Sequence, residues 1–258
     1  MRMSFRLAFT QASSLLRSPR LFHTTASRNM KVVPVLVRSD NYAYLLIDEA
    51  AKKAAAVDPY DVPKVQEAAA REGVEIIAGI TTHHHHDHSG GNQEFAKTFP
   101  GIPIYGGSNK SPALTALVKD RDEFKVSSIN IRCLATPCHT QDSICYHVTS
   151  SDDSHPGGVF TGDTLFIAGC GRFFEGTGSE MVAALNYLGT LPDKTIVYDG
   201  HEYTAGNLKF AKSVDPENPA LKRLEGIEGH GRTDEGASTI GDEKQWNPFM
   251  RLNTEPIL

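Results

Sequence analysis

Four cysteines in 258 residues, with no C-x-x-C pair among them, give nothing on which to build a disulfide framework of the secreted kind. Cys133, Cys138, Cys145 and Cys170 read as reduced, mostly packed thiols. Cys138 stands beside His139, but neighbours along the chain do not make the spatial pair that a cysteine nucleophile needs. There is no G-x-S-x-G elbow, so the usual serine nucleophile is missing as well. No uncharged apolar run approaches the roughly 18 residues that cross a bilayer, and membrane insertion is not expected.

Negative charge is absent from the start of the chain: the first acid is Asp40, while residues 1–29 hold five arginines and many serines and threonines. That is the composition of a mitochondrial transit peptide rather than a secretory signal, which wants a longer apolar centre. Arg20, Phe22 and Thr25 resemble a two-step matrix cleavage pattern, placing the mature start near Met30 and the protein in the mitochondrial matrix. Met30 can equally open a shorter, cytosolic form. Without that segment 21 basic residues face 31 acidic ones, and the formal charge moves from −5 to −10. A body so acidic is a poor surface for nucleic acid, which is bound by basic stripes that displace counterions.

With 40% apolar residues the chain can bury a full core. From Met30 onwards short β runs dominate: "KVVPVLV", "NYAYLLID", "KAAAVD", "EIIAGITT", "IPIYG", "SSINIRCLATP", "SICYHVTS", "GGVFTGD" and "TIVYDG". Helices are expected in "DVPKVQEAAAREG", in "GGNQEFAKTFPG" and in "MVAALNYLGTL", the last preceded by a T-x-x-E cap at Thr177 and Glu180. After His201 the β signal fades into two helical stretches, "GNLKFAKSV" and "PALKRLEGIEG", and "EGHGRTDEGASTIGDE" reads as a polar loop. The expected architecture is α/β (α+β): a two-sheet αββα core over residues 30–203, then a small helical appendage over 204–258.

The unusual stretch is "TTHHHHDHSGGN", Thr81 to Asn92, which packs five of the eleven histidines and one aspartate into six consecutive positions. In a loop leaving a strand, alternate side chains face one way, so His83 and His85 can meet one ion. Asp87 and His88 can then address a second. Two ions need more ligands, and borderline metals favour imidazole with some carboxylate. His139 in "TPCHT", Asp163 in "FTGDTLF" and His201 in "YDGHEYT" each follow an apolar β run, where a rigid sheet hands a side chain to a loop.

This set resembles the signature of the metallo-β-lactamase superfamily. The words "TTHHHHDHSGGN", "LATPCHTQDSICY", "FTGDTLFIAGCGRFFEGT", "GHEYTAGNLKFA" and "NPFMR" are similar to one family within it, the glyoxalase II or hydroxyacylglutathione hydrolases. The resemblance covers Met30 to Arg251 and implies the sandwich fold named above, with a short C-terminal helical appendage. It implies two metal ions, zinc foremost, with iron or manganese as alternatives. His83, His85 and His139 would bind the first, Asp87, His88 and His201 the second, and Asp163 would bridge them. His84 and His86 match no ligand and are expected to be replaceable. Arg172 and Tyr203 would contact the glutathione part of a small-molecule thioester; Phe174 stands where family members often have tyrosine. The family's appendage usually continues some dozens of residues past "NPFMR", whereas seven follow Arg251 here.

The implied reaction is hydrolysis of S-D-lactoylglutathione to glutathione and D-lactate. Hydroxide generated between two cations attacks the thioester carbonyl, with Asp87 and Asp163 as the catalytic carboxylates. The protein is expected to act as a monomer. The nearest alternative is a single-iron dioxygenase acting on glutathione persulfide, and a more distant one is a metal-binding protein without catalysis.

Overall fold

The structure is a computed structural model in which residues 30–150, 155–228 and 238–254 are described. The expected transit segment, 1–29, and most of the polar loop, 229–237, lie outside the described residues.

Strands β1 (Met30–Leu36), β2 (Tyr42–Asp48) and β3 (Lys53–Val57) pair antiparallel, β1 with β2 and β2 with β3. Helix α1 (Val62–Glu72) carries the chain back so that β4 (Glu75–Ile80) lies parallel to β3. Its boundaries are written locally. Asp61 accepts from the Lys64 amide, proline sits in the first turn, and Gly73 ends the helix at φ 65°, a left-handed position that suits glycine. After α2 (His86–Ser89) and α3 (Asn92–Thr98), β5 (Ile104–Gly106) and β6 (Ala116–Leu117) complete a six-stranded sheet in chain order.

The second sheet begins with β7 (Glu123–Val126), β8 (Ile129–Ala135), β9 (Ile144–Thr149) and β10 (Gly158–Gly162). A hairpin of β11 (Leu165–Phe166) and β12 (Gly169–Cys170) and helix α4 (Gly178–Leu188) follow. Strand β13 (Ile196–Asp199) then returns beside β10, giving the order β13-β10-β9-β8-β7. Helices α5 (Thr204–Val214), α6 (Pro219–Glu228) and α7 (Ile240–Trp246) close the described chain, with a 3-10 turn at Pro248–Met250.

All seven residues of β2 are buried, because successive side chains serve different cores. Tyr42, Tyr44 and Leu46 join Ile131, Tyr146 and Phe160 between the sheets. Ala43, Leu45 and Ile47 face outward, against Val65 and Ala68 of α1 and Phe95 of α3. On the far side Met181, Leu185 and Leu188 of α4 cover Leu134, Val159 and Val197. The layers are therefore αββα, as the residue pattern implied. In the appendage Trp246, Leu208, Leu221 and Leu224 close over Ile167 and Ala168 of the hairpin.

Two expectations need correction. Part of the stretch read as loop is helix: Thr239 and Asp242 form a reciprocal capping box that starts α7 inside "TIGDE". Its glycine content masked the cap. Strand β7, "EFKV", was not anticipated, since half its residues are exposed and charged on a sheet edge.

Asp48 fastens the two sheets together. Buried at the end of β2, it accepts from the Ser127 and Ser128 hydroxyls at 2.7 Å each, from the Ser128 amide at 3.1 Å and from the Ala51 amide at 3.0 Å. Burial raises its pKa, but the hydrogen bonds, that of Ser128 foremost, outweigh it and hold the group at about 2. The folded value lies below the unfolded one, so the stabilisation is complete above about pH 4 and is lost as pH falls towards about 2. Asp48→Asn should lower unfolding free energy by about 2 kcal/mol near neutrality. Urea melts across pH should show the deficit closing on acidification; a pH-independent deficit would contradict this origin.

Candidate metal centre

The four segments that follow β4, β8, β10 and β13 meet at one end of the sandwich. His83, His85, Asp87 and His88 come from the first, His139 from the second, Asp163 from the third and His201 from the fourth. The structure brings all seven together in three overlapping groups: His83, His85 and His139; His83, His88 and Asp163; Asp87, His88 and His201. Within each group the ligand-type atoms lie within 4.8 Å of one another.

The hydrogen bonds at the back of the rings decide what the front can do. His139 Nδ1 lies 2.9 Å from the Arg172 carbonyl, which only accepts, so that nitrogen carries the proton. His88 Nδ1 meets Asp58 Oδ2 at 2.9 Å and His201 Nδ1 meets Asp40 Oδ1 at 3.3 Å. The Thr82 hydroxyl donates to Asp58 at 2.7 Å and can accept from His83 Nδ1 at 3.0 Å. Four rings thus keep their protons on Nδ1 and turn bare Nε2 atoms inward. His85 turns the other way and points Nδ1 to within 3.0 Å of His139 Nε2.

At the centre Asp163 Oδ1 is 3.2 Å from His88 Nε2, while Oδ2 is 3.3 Å from His139 Nε2 and 3.4 Å from His201 Nε2. Asp87 Oδ2 lies 3.5 Å from His201 Nε2 and accepts from the Asn41 amide at 2.9 Å. His83 Nε2 and Asp163 Oδ1 are buried with no hydrogen-bond donor or acceptor of their own. Orphaned acceptors are costly in an interior. Here they point at a shared focus of imidazole and carboxylate, the donor set of a borderline cation, and the residues fit a metal. Glycine lets the segments approach. A side chain at Gly171 would meet the Asp163 carbonyl at 1.8 Å, and one at Gly200 would meet the Asp163 carboxylate at 2.4 Å.

The charge states follow from the same contacts. Burial pushes His83 well below the ordinary imidazole range and lowers His85 and His139. His88 is also penalised by burial, yet Asp163 and Asp58 raise it well above that range. His201 is raised in the same way, chiefly by Asp163. Burial disfavours the Asp163 anion, but His88 and His201 hold its pKa well below the carboxylate range. The focus is therefore built for positive charge, and protons and a cation compete for it.

The floor opens into a cavity of about 1070 Å³ lined by His85, Asp87, His139, Asp163 and His201 and by Arg172, Phe174, Tyr203 and Asn207. Tyr203 stacks on His201 with ring centroids 4.7 Å apart. Phe174 is 62% exposed and meets His139 in a T-shaped contact with centroids 5.3 Å apart.

His86 is exposed against Tyr60, away from the centre. His84 is not free: its Nδ1 is 2.7 Å from Asp142, and its Nε2 is 3.7 Å from Glu175, so it ties three loops together. Neither histidine belongs to the three groups at the centre. Sequence reasoning missed Asp58, which sits at φ 48° and accepts from the Thr82 amide at 2.8 Å. It follows the apolar run of β3 as Asp163 follows β10, and that shared position was the available signal.

Fold and site together define a metal-dependent hydrolase of the metallo-β-lactamase class. The metallo-beta-lactamase superfamily profile matches residues 60–201, and one described as hydroxyacylglutathione hydrolase C-terminus matches 202–258. A Schizosaccharomyces pombe protein named "Probable hydroxyacylglutathione hydrolase" is 48% identical over 85% of this chain and 85% of its own length. The cytoplasmic hydroxyacylglutathione hydrolase of Arabidopsis thaliana is 44% identical over 88% of this chain and 90% of its own. A metallo-beta-lactamase from Staphylococcus aureus shares the fold at a TM-score of 0.67 and 24% identity, over 89% of this chain and 65% of that one. The chain belongs to the hydroxyacylglutathione hydrolase family.

Asp58 holds His88 and, through Thr82, His83. Asp58→Ala should weaken metal retention by about 10–100-fold, the usual scale for losing the partner of a ligating histidine. Competition with a chromogenic chelator measures this, and unchanged retention would remove Asp58 from the account.

Proposed function

We propose that this protein hydrolyses S-2-hydroxyacylglutathione thioesters, S-D-lactoylglutathione in particular, to glutathione and the free 2-hydroxy acid. The observation that carries the reading is the inward convergence of five imidazoles with Asp87 and Asp163 on the floor of a cavity rimmed by Arg172, Phe174 and Tyr203. His83, His85 and His139 would hold one cation, Asp87, His88 and His201 a second, with Asp163 between them; the histidine-rich donor set supports zinc. Bound there, the pair supplies the Lewis acidity that makes water nucleophilic near neutral pH and steadies developing negative charge on the carbonyl oxygen.

The chain's own groups arrange the rest. His88 outweighs the penalty of burial and keeps Asp87 ionised, and Asn41 adds to this by hydrogen-bonding one of its oxygens. Asp87 also lines the cavity, where it can accept a hydrogen bond from the attacking water and aim its lone pair. Attack forms the C–O bond as the water gives up a proton through Asp87, the C–S bond breaks with its electron pair on sulfur, and the thiolate takes up a proton as free thiol. Among the described cavity-lining residues Arg172 brings a guanidinium, which suits a glutathione carboxylate. Tyr203, stacked on His201 and 41% exposed, offers its ring and hydroxyl to the peptide portion.

The acid-free, arginine-bearing segment 1–29 supports a mitochondrial destination, with a cytosolic form from Met30. Among the described residues no helix is long and apolar enough to cross a membrane.

Protein starting at Met30 should cleave S-D-lactoylglutathione with release of equimolar free thiol. The activity should vanish on chelation and return with added metal. Absence of thioester cleavage together with oxygen uptake on glutathione persulfide would overturn the reading in favour of the dioxygenase. Phe174→Tyr should lower KM by about threefold to tenfold with kcat little changed, the effect of one added hydrogen bond to bound substrate. Steady-state kinetics test it, and a raised KM would place Phe174 outside the peptide-binding wall.

A further inference from the structure

We propose that Glu243 of the helical appendage is a positioning residue for the catalytic site, acting through the β11–β12 hairpin on His139 and Arg172. The proposal rests on the reading of the site given above.

Glu243 is fully buried, and among the described residues four donors reach its carboxylate. Oε1 accepts from Trp246 Nε1 at 2.8 Å and from the Ser238 hydroxyl. Oε2 accepts from Asn247 Nδ2 at 2.8 Å and from the Ala168 amide at 2.9 Å. Burial pushes the carboxyl up to about 7, with these four donors pulling the other way. Three of them belong to the appendage, but Ala168 is the turn of the hairpin and is held at φ 55°. The neighbouring carbonyls are gripped from the same side: Asn247 Nδ2 reaches Gly169 at 3.0 Å and Phe166 at 3.4 Å, and Asn207 Nδ2 reaches Ile167 at 3.0 Å.

A two-strand hairpin of this length has little stability of its own. It nevertheless runs directly into Gly171 and Arg172; the Arg172 carbonyl accepts a hydrogen bond from His139 Nδ1–H, and the Arg172 side chain lines the cavity. The register of that segment sets the aim of His139 Nε2 and the reach of the guanidinium together. Glu243 and Asn247 are the struts that fix it from the appendage. The appendage thus acts on the metal centre through the hairpin.

Glu243→Gln tests this with almost no change in shape. Whichever way the carboxamide turns, its NH2 faces an obligate N–H donor, either Trp246 or Ala168 with Asn247. Ser238→Ala is the control: it removes one donor on the appendage side and leaves the Ala168 bond in place. In folded Glu243→Gln, release of metal to a chelator should quicken about tenfold, at the low end of the range for ligand-supporting residues. KM for S-D-lactoylglutathione should rise about fivefold, while Ser238→Ala keeps both within about twofold of wild type. A Glu243→Gln protein that melts earlier but matches wild type in release rate and KM would overturn the proposal. So would a Ser238→Ala protein that moves both as far. If Glu243→Gln does not fold, Asn247→Ala carries the same readouts, and wild-type values there would overturn the proposal. Metal release needs no substrate. A wild type that hydrolyses no thioester would therefore sink the functional reading while the release rates still decide this one.

Discussion

Bare nitrogen lone pairs held about 3 Å apart in an interior repel one another and have no solvent to satisfy them. Everything at this end of the sandwich depends on that constraint. His85 Nδ1 and His139 Nε2 stand 3.0 Å apart, and His88 and His201 bring their Nε2 atoms to 3.3 Å. Each pair needs a proton or a cation between its two nitrogens. Asp163, almost fully buried, supplies the negative charge that makes a cation there favourable.

The scaffold meets this constraint by making each ring's orientation someone else's responsibility. Asp58, Thr82, Asp40 and the Arg172 carbonyl occupy the outer nitrogens of four rings, so the inner ones are turned towards the focus. Both sheets contribute, since β3 and β4 carry Asp58 and the histidine loop, while β8, β10 and β13 deliver His139, Asp163 and His201. The faces of β2 explain how the sheets stay in register across the middle. Asp48 shows how a buried carboxylate with four donors pins their far edges. The same device recurs in Glu243, where it links appendage to hairpin.

Much of this was legible in the sequence, because the chemistry is local. An imidazole cluster after an apolar run, glycines beside it, and lone His or Asp residues at further strand ends are patterns in the chain itself. The layer order followed from alternating burial and from helices with readable caps. What escaped depends on distance. Asp58 lies 30 residues from His88, and Glu243 lies 75 from Ala168, so neither role has a local mark. The contacts of His84 have no local mark either: its partners Asp142 and Glu175 arrive from two other loops. Strand β7 escaped because an edge strand with charged residues lacks the apolar alternation of a buried one.

The most direct test of the account is the number of metal ions per chain, by native mass spectrometry with elemental analysis on the same preparation, for wild type and Asp163→Ala. The account predicts two ions per chain in wild type, with at least one lost when the carboxylate between the two histidine groups is removed. A single ion in wild type, or two that survive loss of Asp163, would contradict it.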